Sequence, residues 1–191
     1  MTTHSHHDNV EKTVWFHRRT PIYYSAVHAA GRDLARLAQR LSDFSHANVL
    51  DMGCGAGHAS FVAAQHANLV VAYDLSASML EVVAGAAEER HLSNITLRQG
   101  YAEKLPFEDA SFEVVISRYS AHHWHDVGQA LREVNRVLKP GGVLIIMAVS
   151  CRQDILYAIS GCKRWRRYAT RRMSVTIPVA NGWRWSITQC W

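Results

Sequence analysis

Three glycines and two carboxylates carry the clearest chemical signal in this chain. In Asp51-Met52-Gly53-Cys54-Gly55-Ala56-Gly57 the glycines let a ligand approach the backbone with no Cβ in the way, and they permit φ values that other residues avoid. A dinucleotide turn of the form G-x-G-x-x-G needs glycine at position 58, where this chain has His58. Asp51, ahead of the first glycine, also serves a pyrophosphate poorly. It suits a zwitterionic ligand better, since a carboxylate can accept hydrogen bonds from an ammonium group, directly or through water. Ordering the loop without touching a ligand is the other role open to Asp51. Asp74 closes the next apolar run. A carboxylate at that position has acceptor capacity for both hydroxyl hydrogens of a ribose. Capping the following helix is its competing role, but Ser76 already supplies a cap, so Asp74 is assigned to the ribose.

Such residues need a scaffold that brings two strand ends side by side. From residue 31 onward, apolar runs of strand length alternate with helical patterns, the signature of a parallel sheet wrapped by helices. Ala29 to Leu41 reads as a helix with Leu34, Leu37, Ala38 and Leu41 on one face, and Asn48 to Met52 as the first strand. A helix opening around Gly57 and continuing through Phe61 to Ala67 precedes a second strand, Leu69 to Asp74. Ser76 caps a helix through Met79, Leu80, Val83 and Ala87. Ile95 to Gln99 and Phe112 to Ser117 read as strands three and four. Asp126 to Leu138 is helical and is stopped by Lys139-Pro140-Gly141-Gly142, after which Val143 to Met147 forms a fifth strand. The glycine loop then lies at the carboxyl end of the first strand, where open α/β sheets bind ligands.

Five blocks in this order carry a more specific likeness: Val49 to Gly57, Asp74-Leu75-Ser76 with Met79-Leu80, Ala102-Glu103-Lys104-Leu105-Pro106-Phe107, Ser111 to Val115, and Arg136 to Gly142. Together they resemble the class I S-adenosylmethionine-dependent methyltransferases, especially the ubiquinone/menaquinone C-methyltransferases and the malonyl-carrier-protein O-methyltransferases of biotin synthesis. The resemblance covers most of residues 47 to 147. It implies a Rossmann-like, doubly wound, mostly parallel sheet, S-adenosyl-L-methionine as cofactor, and a small-molecule or acyl-type methyl acceptor. By the same resemblance Gly53, Gly55 and Gly57 line the methionine end, Leu75 packs on the adenine, and Met79 belongs either to that wall or to the helix core. Family members commonly have Asp where this chain has Tyr101, so the adenine relies on backbone groups near Tyr101 and Ala102. The loop Ser117-Arg118-Tyr119-Ser120-Ala121-His122-His123-Trp124 falls near the transferred methyl. Arg118 is counted with the cofactor-binding residues. His122 and His123 are the candidate catalytic bases, because imidazole titrates near neutral pH, with loop packing or hydrogen bonding as their plainer role.

Composition bounds the rest. With 191 residues, 48% of them apolar, one α/β domain can build a core without disulfides or metals. No apolar run approaches a membrane span and the first residues lack a signal-peptide pattern, so the expected compartment is the cytoplasm. Cys54, Cys151, Cys162 and Cys190 have no metal-type C-x-x-C spacing, and His4, His6 and His7 read as a mobile terminus, so no metal site is expected. The net charge of +5 resides in residues 151 to 191, where eight Lys/Arg face one Asp; residues 1 to 150 then total −2, with 13 basic and 15 acidic side chains. A basic segment of this kind is a solvated tail more often than a nucleic-acid footprint. Three segments follow: 1–46, an N-terminal stretch and leading helix in which Trp15, Phe16, Tyr23 and Tyr24 offer a lid; 47–149, the cofactor-binding core; and 150–191, an atypical Trp-rich tail expected to be disordered or loosely packed. No strand or helix pattern is visible in that tail, so the sheet is expected to lack the last two strands of the seven-stranded methyltransferase fold. The abrupt change near residue 148, with the aperiodic stretch from Thr13 to Tyr24, suggests segments translated in a shifted frame relative to a longer ancestor. A chain that binds cofactor but has lost turnover with its C-terminal third is the second functional reading.

Overall fold

The computed structural model describes residue 29, residues 31–149, and the backbone of residues 174–178 and 184–190; of His122 and residues 148–149 it describes the backbone alone. In chain order the elements are α1 (Arg32–Leu41), β1 (Asn48–Met52), α2 (His58–Ala64), β2 (Leu69–Asp74), α3 (Ala77–Glu89), β3 (Ile95–Gln99), β4 (Phe112–Arg118), α4 (Val127–Val137), β5 (Leu138–Val149), β6 (Ser174–Pro178) and β7 (Arg184–Cys190). They form one sheet with strand order β3-β2-β1-β4-β5-β7-β6. β1 to β5 run parallel, β7 joins β5 in parallel, and β6 pairs antiparallel with β7.

Side-chain alternation along the strands builds a core on each face of the sheet. Val49 of β1, Val70 of β2, Val114 and Ile116 of β4, and Ile145 and Met147 of β5 pack with Leu34, Leu37 and Leu41 of α1 and Ala59 and Ala63 of α2. On the opposite face Leu50, Met52, Val71, Tyr73, Val115, Leu144 and Ile146 meet Val134 and Val137 of α4 together with Leu105 and Phe112. Phe61, Ala72, Leu80 and Val83 join α2 and α3 over β2. Each Leu, Ile or Val buried this completely stabilises the fold by about 1.5–3 kcal/mol. β1, between β2 and β4, is shielded on both faces, which is why its sequence reads as a continuous apolar run broken only by Asp51.

The first four strands lie where their sequence patterns put them, β4 running one residue further. β5 begins earlier than expected: Leu138 already pairs with Phe112, the register shifts, and pairing resumes at Val114 with Val143. Lys139 to Gly142 is thus a bulge within the strand, with Gly141 at φ 80°. Beyond β5, where the expectation was that the last two strands are missing, the backbone of β7 and β6 continues the sheet. The sequence does alternate there, with Val175 and Ile177 in β6 and Trp185 and Ile187 in β7, and Asn181-Gly182 lies between the two strands. The segments expected to act as a lid (Trp15, Phe16, Tyr23, Tyr24), the terminal histidines, and the parts of the basic tail between and around β6 and β7 lie outside the described residues.

Candidate active site

At the carboxyl edge of the sheet the glycine loop runs from β1 into α2. Gly53, Gly55 and Gly57 have φ of 75°, 52° and 82°, all in the left-handed region. Their surroundings differ. A Cβ on Gly53 would stand 2.3 Å from Ser120 Cβ, and one on Gly57 would stand 2.8 Å from Phe61 and 2.9 Å from Val83, so these two glycines let the loop pack against its neighbours. A Cβ on Gly55 would meet nothing within 4 Å. That middle glycine faces open space.

Asp74 holds this loop in shape. One of its oxygens accepts the Gly55 N–H at 2.8 Å and the other accepts the Ser76 N–H at 2.8 Å. The Gly53 and Cys54 amides both donate to the Tyr73 carbonyl, at 2.8 and 3.1 Å. Loop ordering, which the sequence offers as a role for Asp51, is therefore also work of Asp74. Each carboxylate oxygen has a second lone pair that backbone contacts leave available. The helix cap falls to Ser76, whose Oγ accepts from Met79 N at 3.4 Å.

Asp51 is fully buried, and Ser60 Oγ of α2 donates to its Oδ2 at 2.6 Å. Its Oδ1 is buried with no hydrogen-bond partner. Burial pushes the carboxyl up to about 6; Asp74 adds to the rise, and Ser60 and Arg118 oppose it. A buried acceptor with an open oxygen beside a glycine facing open space is a fitting receptor for a hydrogen-bond donor that comes with a ligand. Burial also raises the Cys54 thiol well above its usual range, which leaves it protonated and unreactive.

The other expected residues fall around this centre. Leu75 follows Asp74, and its carbonyl accepts from Gln99 Nε2 at 2.9 Å. Met79 is buried yet belongs to none of the three apolar clusters. Tyr101 is 48% exposed, and its carbonyl accepts from the Tyr73 hydroxyl at 3.0 Å, while Ala102 packs on the cluster beside α4. After β4, Ser120 Oγ donates to the Met52 carbonyl at 2.9 Å, so the hydroxyl of Ser117, 2.8 Å away, must be the donor between the two serines. This ties the loop after β4 directly to the glycine loop. Within it Tyr119 has φ 55° and its N–H is held by Met147 O at 2.7 Å. His122 and His123 lie in a short 3₁₀ turn, Ala121–His123, where His123 is exposed; the side chain of His122 lies outside the described residues.

Arg118 is drawn to a partner that the sequence did not suggest. Its Nε donates to Asp33 Oδ2 of α1, both side chains are buried, and its guanidinium lies over the Tyr119 ring at 4.5 Å. Burial works to raise the Asp33 carboxyl, but the hydrogen bond and charge of Arg118 prevail and hold it below the usual range. Ser60 and Asp33 carry no motif, and only the fold brings them to Asp51 and Arg118. Glu103 and Arg136 sit inside recognised blocks, and their roles are now visible. Glu103 accepts the His125 and Asp126 amides at the head of α4, and Arg136 binds the carbonyls of Leu105 and Phe107 along with Glu133 and Asp109. Both brace the segment after β3 against α4.

A mostly parallel sheet wrapped by helices, with a glycine loop after the internal strand β1 and carboxylates on the neighbouring strands β1 and β2, is a Rossmann-like α/β arrangement. The chain belongs to the methyltransferase domain family, whose model matches residues 50–146, just over half of its 191 residues. It is similar to the Escherichia coli K12 protein YafE, at 70% identity over 97 residues, covering 51% of this chain and 47% of YafE. It is 38% identical to the Bacillus subtilis protein YcgJ, whose crystal structure superposes with a TM-score of 0.55 over 57% of this chain and 47% of that one. The demethylmenaquinone methyltransferase of Lactococcus lactis is 34% identical over 119 residues, 61% of this chain and 47% of the relative. The chain spans about half the length of the curated relatives it matches. Among the described residues no helix is long and apolar enough to cross a membrane, and no cluster of His, Cys, Asp or Glu could hold a metal ion.

Proposed function

We propose that this chain binds S-adenosyl-L-methionine across the glycine loop and transfers its methyl group to a small-molecule or acyl-type acceptor. The observation that carries the reading is the cradle itself: Gly55, open above its backbone and fixed by Asp74, beside the unsatisfied Oδ1 of buried Asp51. Asp51 would receive the ammonium hydrogens at the methionine end, near Gly53, Gly55 and Gly57. Asp74 would use its remaining lone pairs for the ribose hydroxyls. Leu75, Met79 and Ala102 would wall the adenine, with the backbone at Tyr101 taking its polar edge. Family membership and the name of the Lactococcus relative support the chemistry; demethylmenaquinone-like rings are one acceptor class that fits it.

When bound, the cofactor supplies a methyl group on a cationic sulfur whose charge disappears on transfer, so positioning and exclusion of water matter more than acid catalysis. Ser117 and Ser120 hold the acceptor-side loop against Met52 and so fix its distance from the methionine end. His122 or His123 would take a proton from an acidic carbon, hydroxyl or carboxyl nucleophile. Isothermal titration with S-adenosylmethionine and S-adenosylhomocysteine tests the cofactor half: one site per chain is expected, and no binding refutes it. Transfer of labelled methyl from the cofactor to components of a cell extract tests turnover.

A further inference from the structure

We propose that Tyr73 is a positioning residue for the base end of the site: its buried hydroxyl fixes the segment after β3 whose backbone meets the adenine edge, and so sets how sharply the site tells adenine from another purine. The identity of the ligand rests on the proposed function, whereas the tether itself does not. β2 lies between β1 and β3, so its last residues reach the loops that follow both neighbours. Tyr73 bonds in both directions. Its carbonyl accepts the Gly53 and Cys54 amides of the glycine loop at 2.8 and 3.1 Å. Its hydroxyl donates to the Tyr101 carbonyl at 3.0 Å and lies 3.5 Å from the Lys104 carbonyl. Tyr101 and Lys104 bound a turn of their own, in which the Lys104 amide donates to the Tyr101 carbonyl at 3.1 Å. Asp74 makes the same two connections with its groups exchanged: the carboxylate holds the Gly55 amide, and the carbonyl accepts the Gly100 amide at 3.1 Å.

The fold makes room for the hydroxyl as well as for the ring. Tyr73 is 1% exposed in the core with Leu50, Met52 and Val71, and its ring meets Phe107 edge-on at 5.7 Å, a space that phenylalanine would also fill. The oxygen needs more: a Cβ on Gly100 would stand 2.9 Å from Tyr73 Cζ and nearer still to the hydroxyl. Burial, with the charges of Glu103 and Glu133, raises the phenol above its usual range, so the group stays a donor at working pH. A buried hydrogen bond adds little net stability, because the unfolded chain bonds to water instead. Its larger effect here is order, since it ties half-exposed Tyr101 to the sheet core. Reading a base edge through backbone groups requires those groups to be held within about 0.5 Å.

Tyr73→Phe removes the oxygen and keeps the ring. In the unliganded chain, amide hydrogen exchange at residues 101–104 should rise by about threefold or more, while that of residues 53–57, held by the Tyr73 carbonyl, stays unchanged. Calorimetric titration with S-adenosylhomocysteine and S-inosylhomocysteine, which differ only at the base edge, then reads the site. The wild-type preference for the adenine ligand should fall by about three- to tenfold in the variant. A merely structural role would lower the melting temperature and leave that ratio alone. An unchanged ratio, unchanged exchange at 101–104, an equal rise at 53–57, or a wild type that binds both ligands equally overturns the proposal. If Tyr73→Phe does not fold, Gly100→Ala, which displaces the hydroxyl, decides by the same ratio: a fall supports the tether and no change overturns it. A wild-type chain that binds neither ligand refutes the proposed function and the base-reading role with it, whereas a wild type that binds and a variant with an unaltered ratio refute the role of Tyr73 alone.

Discussion

Asp51→Asn should make the unliganded protein more stable at neutral pH while damaging cofactor binding. The carboxyl lies fully buried with one oxygen unsatisfied, and its pKa is raised from 3.8 to about 6. Because the folded value lies above the unfolded one, the folded chain retains a proton between those values that the unfolded chain releases. Asp51's contribution to stability is therefore complete below about pH 4 and is lost as pH rises through about 6. At 1.36 kcal/mol per pH unit, an interval of about two units corresponds to a loss of about 3 kcal/mol by pH 7. Asparagine keeps an oxygen to accept from Ser60 and carries no charge to desolvate. Urea denaturation of the two proteins at pH 4.5 and pH 7.5, in the absence of cofactor, isolates the effect, because Asp33, Glu113 and Glu133 contribute equally to both. The stability difference should grow with pH in favour of Asp51→Asn and level off above about pH 6.5. At pH 7 S-adenosylmethionine affinity should fall by about ten- to a hundredfold, the usual result of losing a charge-assisted hydrogen bond. Parallel pH profiles, or a variant less stable at pH 7.5, would refute the reasoning.

Asp74→Ala should weaken S-adenosylmethionine binding by about 1.5–3 kcal/mol in calorimetry, since it removes acceptors from the ribose and from Gly55 N–H together; unchanged affinity would take Asp74 out of the site. Gly55→Val should abolish binding while circular dichroism reports a folded chain, because its side chain would fill the open space above the loop, and normal binding would mean the loop faces something else. Gly57→Ala should instead act on stability, lowering it by about 1–3 kcal/mol through contact with Phe61 and Val83 and through φ 82°; thermal melting checks this. Arg136→Met should cost about 1–3 kcal/mol and increase hydrogen exchange between residues 103 and 109, because it releases the carbonyls of Leu105 and Phe107. Translating the coding DNA in its other two frames should recover helix and strand patterns beyond β5, and their absence would refute the shifted-frame origin of the tail.

The scaffold was legible because its signals are local. Strands buried on both faces read as unbroken apolar runs, as in Val49-Leu50 and Leu69 to Tyr73, and Ser76 announces the start of α3 through a hydrogen bond to its own first turn. The glycine loop was equally legible, since only glycine enters the left-handed region freely. β6 and β7 were missed although Val175-Thr176-Ile177 and Trp185-Ser186-Ile187 alternate on either side of Asn181-Gly182, a short hairpin signal that the surrounding Arg and Trp clusters obscure. The bulge at Lys139 to Gly142 escaped for a related reason: proline and glycines that stop a helix can also loop out within a strand.

For the site, sequence by itself determined which carboxylates lie at the C-terminal ends of the first two strands, Asp51 next to last in β1 and Asp74 last in β2, and which positions lack a Cβ. It could not determine what each would touch. That Asp74 braces Gly55, that Ser60 reaches Asp51, and that Arg118 pairs with an aspartate 85 residues earlier are consequences of strand order and helix packing. Hydrogen bonds and ion pairs act over about 3 Å, whereas the residues that make them are far apart in the chain. Only the folded sheet sets those distances.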